Sequence, residues 1–489
     1  MAYEAVIGLE CHIQLATRTK MFCGCPVEFG APANSNVCPV CLGLPGALPF
    51  PNRAGVDAAL KLGLALGCRI APESEFARKH YFYPDMPKNY QITQYDRPLC
   101  EGGALTVRVS ERDREFALIR IHLEEDTGKS FHPEKHGDRR ISRVDFNRAG
   151  VPLLELVTRP EFHDGLECGA FLTALRRLVR WIGISDGDME KGHLRCDANV
   201  SLRPVGSEKL GVKTEIKNLN SIRGVERAIA AEIARQGARL DAGERIEQAT
   251  LLYDADGDRL AVMRSKEHAH DYRYFPEPDL PRVEVGADWI DRARAALPEL
   301  PWARAARWAR EYSLPAYDAG VLCEQRDLAD YFEACARGGD AKLASNWIMT
   351  EMLRVMRERE WSVADWSSRV PPARLAAFLA RVAARELPGP LAKQVFGWMA
   401  DEAGDVAGLL ERHGVKVQSS AGDLLPLVRA VLAEHPGPVS QYRAGKSATL
   451  GFLVGQVMKK SGGQAVPQVV QELVRSELAG SDVSGSAPA

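Results

Sequence analysis

The chain has 489 residues, of which 45% are hydrophobic and 26% charged, with 63 Lys and Arg against 65 Asp and Glu. That length exceeds one hydrophobic core and suggests about two to four domains. The composition excludes wholesale disorder, and a formal net charge of -2 excludes a global cationic field, so any nucleic-acid contact must come from local patches. No apolar run approaches the ~20 residues of a membrane span and no cationic leader opens the sequence, so a cytoplasmic location, with the 11 cysteines mostly reduced, is the expectation.

The first predicted element is a strand. Ala5, Ile7, Leu9, Cys11, Ile13 and Leu15 are apolar at every second position, which gathers Glu10, His12 and Gln14 on the opposite face. Next come Cys23 and Cys25, then Cys38 and Cys41, two close pairs joined by a loop. Four thiolates suit a closed tetrahedral Zn²⁺ site that stabilises a local fold and leaves no open position for chemistry; a redox pair is the lesser alternative. Lys79 lies in FARKHYFYPDMPKNYQ, where aromatics and prolines predict an ordered loop, and reads as a phosphate holder or an ordinary surface lysine. A second alternating segment, 117–123, runs into Glu124, Glu125 and Asp126. Acids clustered this way repel one another, and hard Mg²⁺ is their natural occupant unless solvent takes that role.

Two further alternating stretches follow. LRCDANVSLR directs Arg195, Asp197, Asn199, Ser201 and Arg203 outward, and VKTEIKN does the same for Lys213, Glu215 and Lys217, with PVGSEKLG as a hairpin loop between them. Either strand alone is more often a half-buried strand with a wet face. Paired antiparallel, they present mixed acids and cations, suited to ATP phosphates through Arg195, Lys213 and Lys217 and to a metal shell completed by Asp197 and Glu215. A helix follows, capped from Asn220 or Ser221, with Ile222, Val225, Ile229 and Ile233 as its core stripe. The strings EEDTGKS and RAGKSATLG are not P-loops, because Leu123 and Ser440 stand where the first glycine is required.

From about residue 285 the composition turns to Ala, Leu, Arg and Glu, placing a domain boundary near 292. The expected order is an α+β domain over 1–292, a helical domain over 293–411, a small helical tail over 412–479 and a disordered end at 480–489. Residues 436–471 contain no Asp or Glu but carry Arg443, Lys446, Lys459 and Lys460, a cationic stretch or simply a solvated helical face.

In order along 7–280, the segments IGLECHIQL, FCGC with CPVCLGLPGALP, FARKHYFYPDMPKNYQITQYD, IHLEEDTGKS, VDFNRAGVPLLELV, RCDANVSLRP, TEIKNLNS and MRSKEHAHDYRYFPEPDL closely resemble the GatB family of tRNA-dependent aspartyl/glutamyl amidotransferases. YRAGKSATLGFLVGQVMKK resembles the family's tail. The resemblance implies a cradle-like α+β catalytic domain, then an all-α domain and a small helical tail reaching toward tRNA. It implies ATP-dependent phosphorylation of the side-chain carboxylate of Glu-tRNA(Gln) or Asp-tRNA(Asn), followed by displacement of phosphate by ammonia. It also implies Glu10, His12 and Glu125 as metal ligands, with Lys79, Glu124, Asp197, Glu215 and Lys217 lining the same pocket. No GGSSGG-like amidase signature occurs, so ammonia is expected from another chain. The resemblance assigns that role to an amidase-type A subunit, joined by a small C subunit in a heterotrimer. Cys11 stands where the family usually has Val, and Leu260 to Val262 are apolar where polar residues are common. Two other classes compete: a zinc-containing tRNA-binding factor without chemistry, and an independent metal hydrolase. Neither needs both the paired acids and a partner.

Overall fold

The alternation of residues 3–14 becomes strand β1 (Tyr3–Gln14), whose Ile7, Leu9, Cys11 and Ile13 are fully buried. The computed structural model describes residues 2–110, 112–131, 141–254, 257–265, 272–415, 421–462 and 464–480, and the chain divides into two compact units, 1–300 and 301–489. Of the expected disordered end, only Gly480 falls within the described residues.

Among the described residues the first unit is built on a mixed 13-stranded sheet. Its main path runs β9 (Arg259–Ser265), β8 (Ala249–Asp254), β7 (Thr214–Leu219), β6 (Leu194–Pro204), β1, β5 (Pro152–Thr158), β4 (Arg112–Glu125), β3 (Tyr90–Thr93), β2 (Ala77–His80), β10 (Phe275–Pro276). Every step is antiparallel except β7 to β8, which is parallel. A parallel pair needs a crossover, and helix α3 (Ile222–Asp241) supplies it, capped by Ser221, one of the two capping candidates in the sequence. β1 therefore lies in mid-sheet with β6 and β5 on either side.

One face of the sheet is covered by helices. α1 (Arg53–Ala65) lies against β4 near Leu123, while α2 (Gly165–Trp181) packs on α3. The α2–α3 approach requires glycine: a Cβ at Gly165 or Gly169 would lie 2.5 or 2.0 Å from Glu226 of α3. α3 in turn grips the sheet through Gln236, which donates to the Val200 carbonyl, and through buried Glu232, which accepts from Thr214. This face is mostly apolar, so most polar residues of β1, β4, β5 and β6 are left to the other.

The composition change near 292 falls inside α4 (Ala287–Ala295), and this helix belongs to the first unit. Its Trp289 donates to Asp57 at 2.6 Å and lies beneath Arg53. The unit accordingly runs on to Leu300. At the sheet edge, β10 is fastened to β2 by Arg78, which donates from Nε and Nη2 to the fully buried Glu277 carboxylate at 2.8 Å each. Removing one partner of a buried pair leaves an uncompensated charge. Arg78→Met should therefore cost the first unit about 3 kcal/mol in urea unfolding; a loss below ~1 kcal/mol would mean that the Asp279 amide satisfies Glu277 by itself.

The second unit is helical. The helical run over 341–358 is interrupted by a π-turn, Ile348–Met352, between Ala341–Trp347 and Leu353–Glu358. Trp308, Trp366, Phe378 and Phe396 are fully buried in this unit, and the Trp366 indole donates to Tyr331 Oη at 2.9 Å. Toward the end, α5 (Ala421–Glu434), α6 (Thr449–Lys460) and α7 (Pro467–Gly480) enclose a cluster that includes Leu424, Val428, Leu453, Val457 and Val474. The tail expected over 412–479 thus carries a hydrophobic cluster of its own. The described helices include none long and apolar enough to cross a membrane.

Candidate active site

Register assembles the open face of the sheet. Across β6, β1, β5 and β4, Arg195, His12, Glu155 and His122 stand as successive cross-strand neighbours. One pair further along, Leu153 of β5 faces Glu124, which in turn faces Thr93 of β3. Three possible ligands therefore converge. His12 Nδ1 is 2.9 Å from Glu124 Oε1 and 4.0 Å from Glu155 Oε2, and one ligand atom from each residue lies within 4.8 Å of the others. His12 and Glu124 line a cavity of about 830 Å³, together with Lys79, Arg195, Lys217 and Asp126, and Glu155 stands behind that lining, against His12.

The surrounding cations are held in place. Arg195 Nη2 donates to Asp126 at 3.0 Å. Lys217 donates to Asp197 at 2.5 Å and pairs with Glu215 at 2.9 Å. Lys79, beside Gln91 in the β2–β3 register, lies 5.0 Å from the Tyr272 ring centroid.

The protonation states follow from this packing. Burial pushes Glu124 toward its acid form, but the His12 hydrogen bond and the neighbouring positive charges outweigh it and hold the carboxyl at about 2. Burial would lower His12, yet the Glu124 and Glu155 carboxylates raise it to about 9. His122 Nε2 lies 3.5 Å from Glu155 Oε2, yet burial outweighs the Glu124 charge, drives the imidazole down to about 3 and keeps it neutral, with Nδ1 buried and unbonded among the described residues. Burial and the Glu124 charge raise Glu155. For Lys79 and Lys217 burial acts downward, but the facing carboxylates win and keep both ammonium groups charged. The result is a small anionic centre inside a ring of fixed positive charge. Two carboxylates and an imidazole within reach of one point fit a hard divalent cation, and the ring suits phosphate oxygens.

Lys79, Glu124, Arg195, Asp197 and Lys217 all line this cavity, and Glu215 reaches it through its ion pair with Lys217. Lys213 does not: it precedes β7 on the exposed approach to the strand. Glu10 shares the polar face, opposite Asp197, but its carboxylate accepts from Asn199 at 2.9 Å and lies outside the cavity lining.

The trio Glu10, His12 and Glu125 is not brought together. Successive strand residues point to opposite faces, so Glu125 turns toward the helix side. There it pairs with Lys88 and accepts the Ile92 amide at 2.9 Å. Beside His12 and Glu124 stands Glu155, not Glu125. The sequence signal of Glu155 is one acid in the middle of the otherwise apolar PLLELV. Among the departures from the family pattern, Cys11 is fully buried, while Val262 is 65% exposed on the β8–β9 hairpin.

The four predicted cysteines do converge. One Sγ from each of Cys23, Cys25, Cys38 and Cys41 lies within 4.8 Å of the rest. Cys41 Sγ also accepts the Cys38 amide at 3.2 Å. A hydrogen bond from Cys23 holds the Cys41 thiol down at about 4, helped by that amide and the Lys20 ammonium. Four thiols this close together suit a soft-ligand metal such as Zn²⁺, and a four-thiolate shell leaves no ligand position for a substrate.

A family model described as the GatB/GatE catalytic domain matches residues 5–291, and one described as the GatB domain matches residues 330–478. The B subunit of the aspartyl/glutamyl-tRNA(Asn/Gln) amidotransferase of Pelodictyon phaeoclathratiforme is 50% identical over 481 residues, which is 98% of this chain and 100% of that protein. The protein of the same name from Moorella thermoacetica is 49% identical over 479 residues, again 98% of this chain and 100% of its own length. Together with the two-unit fold and the polar cavity, these matches establish that the chain belongs to the GatB family of aspartyl/glutamyl-tRNA(Asn/Gln) amidotransferases.

Proposed function

We propose that this protein uses ATP to phosphorylate the side-chain carboxylate of glutamate on tRNA(Gln) or aspartate on tRNA(Asn), and that ammonia from a partner then displaces the phosphate to leave the amide. The tRNA substrates are those in the relatives' names. The reading of phosphoryl chemistry rests on one observation: His12 and Glu124, with Glu155 within ligand distance of both, meet at the wall of a cavity bordered by Lys79, Arg195 and Lys217.

Glu124 and Glu155, with His12 beside them, would hold Mg²⁺, which when bound would neutralise and align phosphate oxygens. Phosphoryl transfer asks little covalent chemistry of a protein and much positioning. Arg195, steadied by Asp126, and Lys217, steadied by Asp197 and Glu215, direct charged N–H groups into the cavity for the nucleotide phosphates. Lys79 reaches it from the opposite side of the sheet path, where it can offset the charge that builds up on the transferred group. The four cysteines hold a structural Zn²⁺. An amidase-type A subunit supplies ammonia by hydrolysing glutamine, and a small C subunit completes a cytoplasmic heterotrimer.

The deciding experiment combines the chain with its two partners, ATP, Mg²⁺, glutamine and each mischarged tRNA, then identifies the amino acid released from the tRNA. Glutamine or asparagine should form only when ATP and Mg²⁺ are both present. Amide formation without ATP would sink the proposal.

A further inference from the structure

The cysteine cluster contains a buried ammonium that neither the fold nor the proposed chemistry accounts for. Lys20 is 0% exposed, and its Nζ lies 3.5 Å from Cys41 Sγ and 3.2 Å from the Phe146 carbonyl oxygen, to both of which it donates. Among the described residues no carboxylate comes within ion-pair range of it. The backbone pins the same residue to the knuckle, since the Lys20 amide donates to the Cys25 carbonyl at 2.9 Å. Its stem is clasped as well: a Cβ on Gly150, a residue at φ +87°, would meet Lys20 Cδ at 3.4 Å and Cys41 Cβ at 3.5 Å.

A lysine taken wholly out of water needs a counter-charge. A carbonyl oxygen supplies only a dipole, so among the groups that Lys20 Nζ hydrogen-bonds the one able to carry negative charge is the Cys41 sulfur. Four thiolates around one divalent cation carry excess negative charge, and such a site is steadied by N–H···S donors around it. We infer that Lys20 is the counter-ion of the thiolate metal site, a positioning residue whose ammonium offsets part of the excess negative charge at Cys41 and slows loss of the metal. The inference rests on the reading of the four cysteines as a zinc site. Lys20 and the Cys38 amide, at 3.5 and 3.2 Å, give Cys41 two N–H donors from different directions. It is also the most buried of the four, which is where a compensating charge has the greatest effect.

The test compares the full-length chain with its K20M and K20Q variants. K20M keeps the stem and removes the charge; K20Q keeps an N–H donor without the charge and serves if K20M fails to accumulate as folded protein. Zinc per chain is measured by mass spectrometry, its release by transfer to a chromogenic chelator, and ligand electronics by the thiolate-to-metal charge-transfer band after Co²⁺ substitution. Wild type should carry about one zinc, and the variant should release it at least about tenfold faster, as expected for an outer-shell partner, with a shifted Co²⁺ band. A merely structural role for Lys20, through Phe146, would lower the melting temperature but leave release rate and band unchanged; that outcome overturns the inference. Wild-type protein without stoichiometric zinc would instead defeat the zinc reading, before any variant is compared.

Discussion

Glu124→Gln should slow ATP-dependent amidation by about 10²–10³-fold, the scale of removing one fixed electrostatic contact from a developing charge, whereas Glu125→Gln should leave the folded enzyme's chemistry nearly intact. The two residues are adjacent and equally buried. Glu124 carries the negative charge nearest His12 and faces Lys79 across the cavity. Glutamine keeps its shape but removes that charge, so the ring of cations loses its anionic centre and Mg²⁺ loses a ligand. Glu125 answers to Lys88 and the Ile92 amide on the other face. Its loss strands a buried ammonium and should appear as about 3 kcal/mol of stability. Single-turnover amidation at saturating ATP, with melting temperatures measured in parallel, separates the two. A well-folded but inactive Glu125→Gln beside an active Glu124→Gln would reverse the assignment and bring back Glu125 as the ligand.

That contrast also shows where the sequence was readable. The alternation in β1 and β6 places Glu10, His12, Arg195, Asp197 and Asn199 on one polar face, because a strand half covered by helices records its burial at every second residue, although Ser201, expected outward, is buried against the Val6 carbonyl. The pair Asn220 and Ser221 announced α3, and Ser221 is the residue that caps it. The faces of Glu124 and Glu125 could have been told apart too: continuing Ile121 and Leu123 by two residues lands on Glu125, so the apolar face claims it and Glu124 joins His122. What alternation could not supply was Glu155. β5 is buried on both sides for most of its length, its pattern is nearly continuous Leu and Val, and only the pairing of His12 with Glu155 reveals where that acid points. Tertiary register, set by contacts 143 positions apart in the chain, decides the matter. The boundary near 292 marked a change of composition, while the packing of Trp289 on α1 carried the fold beyond it.

The second large effect is expected from Cys38→Ser. A structural site of this kind contributes its binding free energy directly to local folding, on the order of 10 kcal/mol for small zinc modules. Replacing one thiolate should lower zinc affinity by more than ~100-fold, beyond what an outer-shell change costs, and leave purified protein without stoichiometric zinc. The consequences should reach past the knuckle. Between the cysteine pairs, the Asn34 amide donates to Asp145 at 3.0 Å, the Asn36 amide donates to Asn147 at 2.8 Å, and Asn34 Oδ1 accepts the Phe146 amide at 2.8 Å. Residues 145–147 lead into β5 and Glu155, and Gly150 just beyond them donates to the Asp126 carbonyl at 2.9 Å. Loss of metal should therefore speed hydrogen exchange in residues 20–50 and also at 145–151, and amidation should fall although no knuckle residue lines the cavity. Full zinc content in Cys38→Ser would end the structural-zinc reading. Zinc loss with exchange changes confined to residues 20–50 would show that the knuckle folds independently of the strand that carries Glu155.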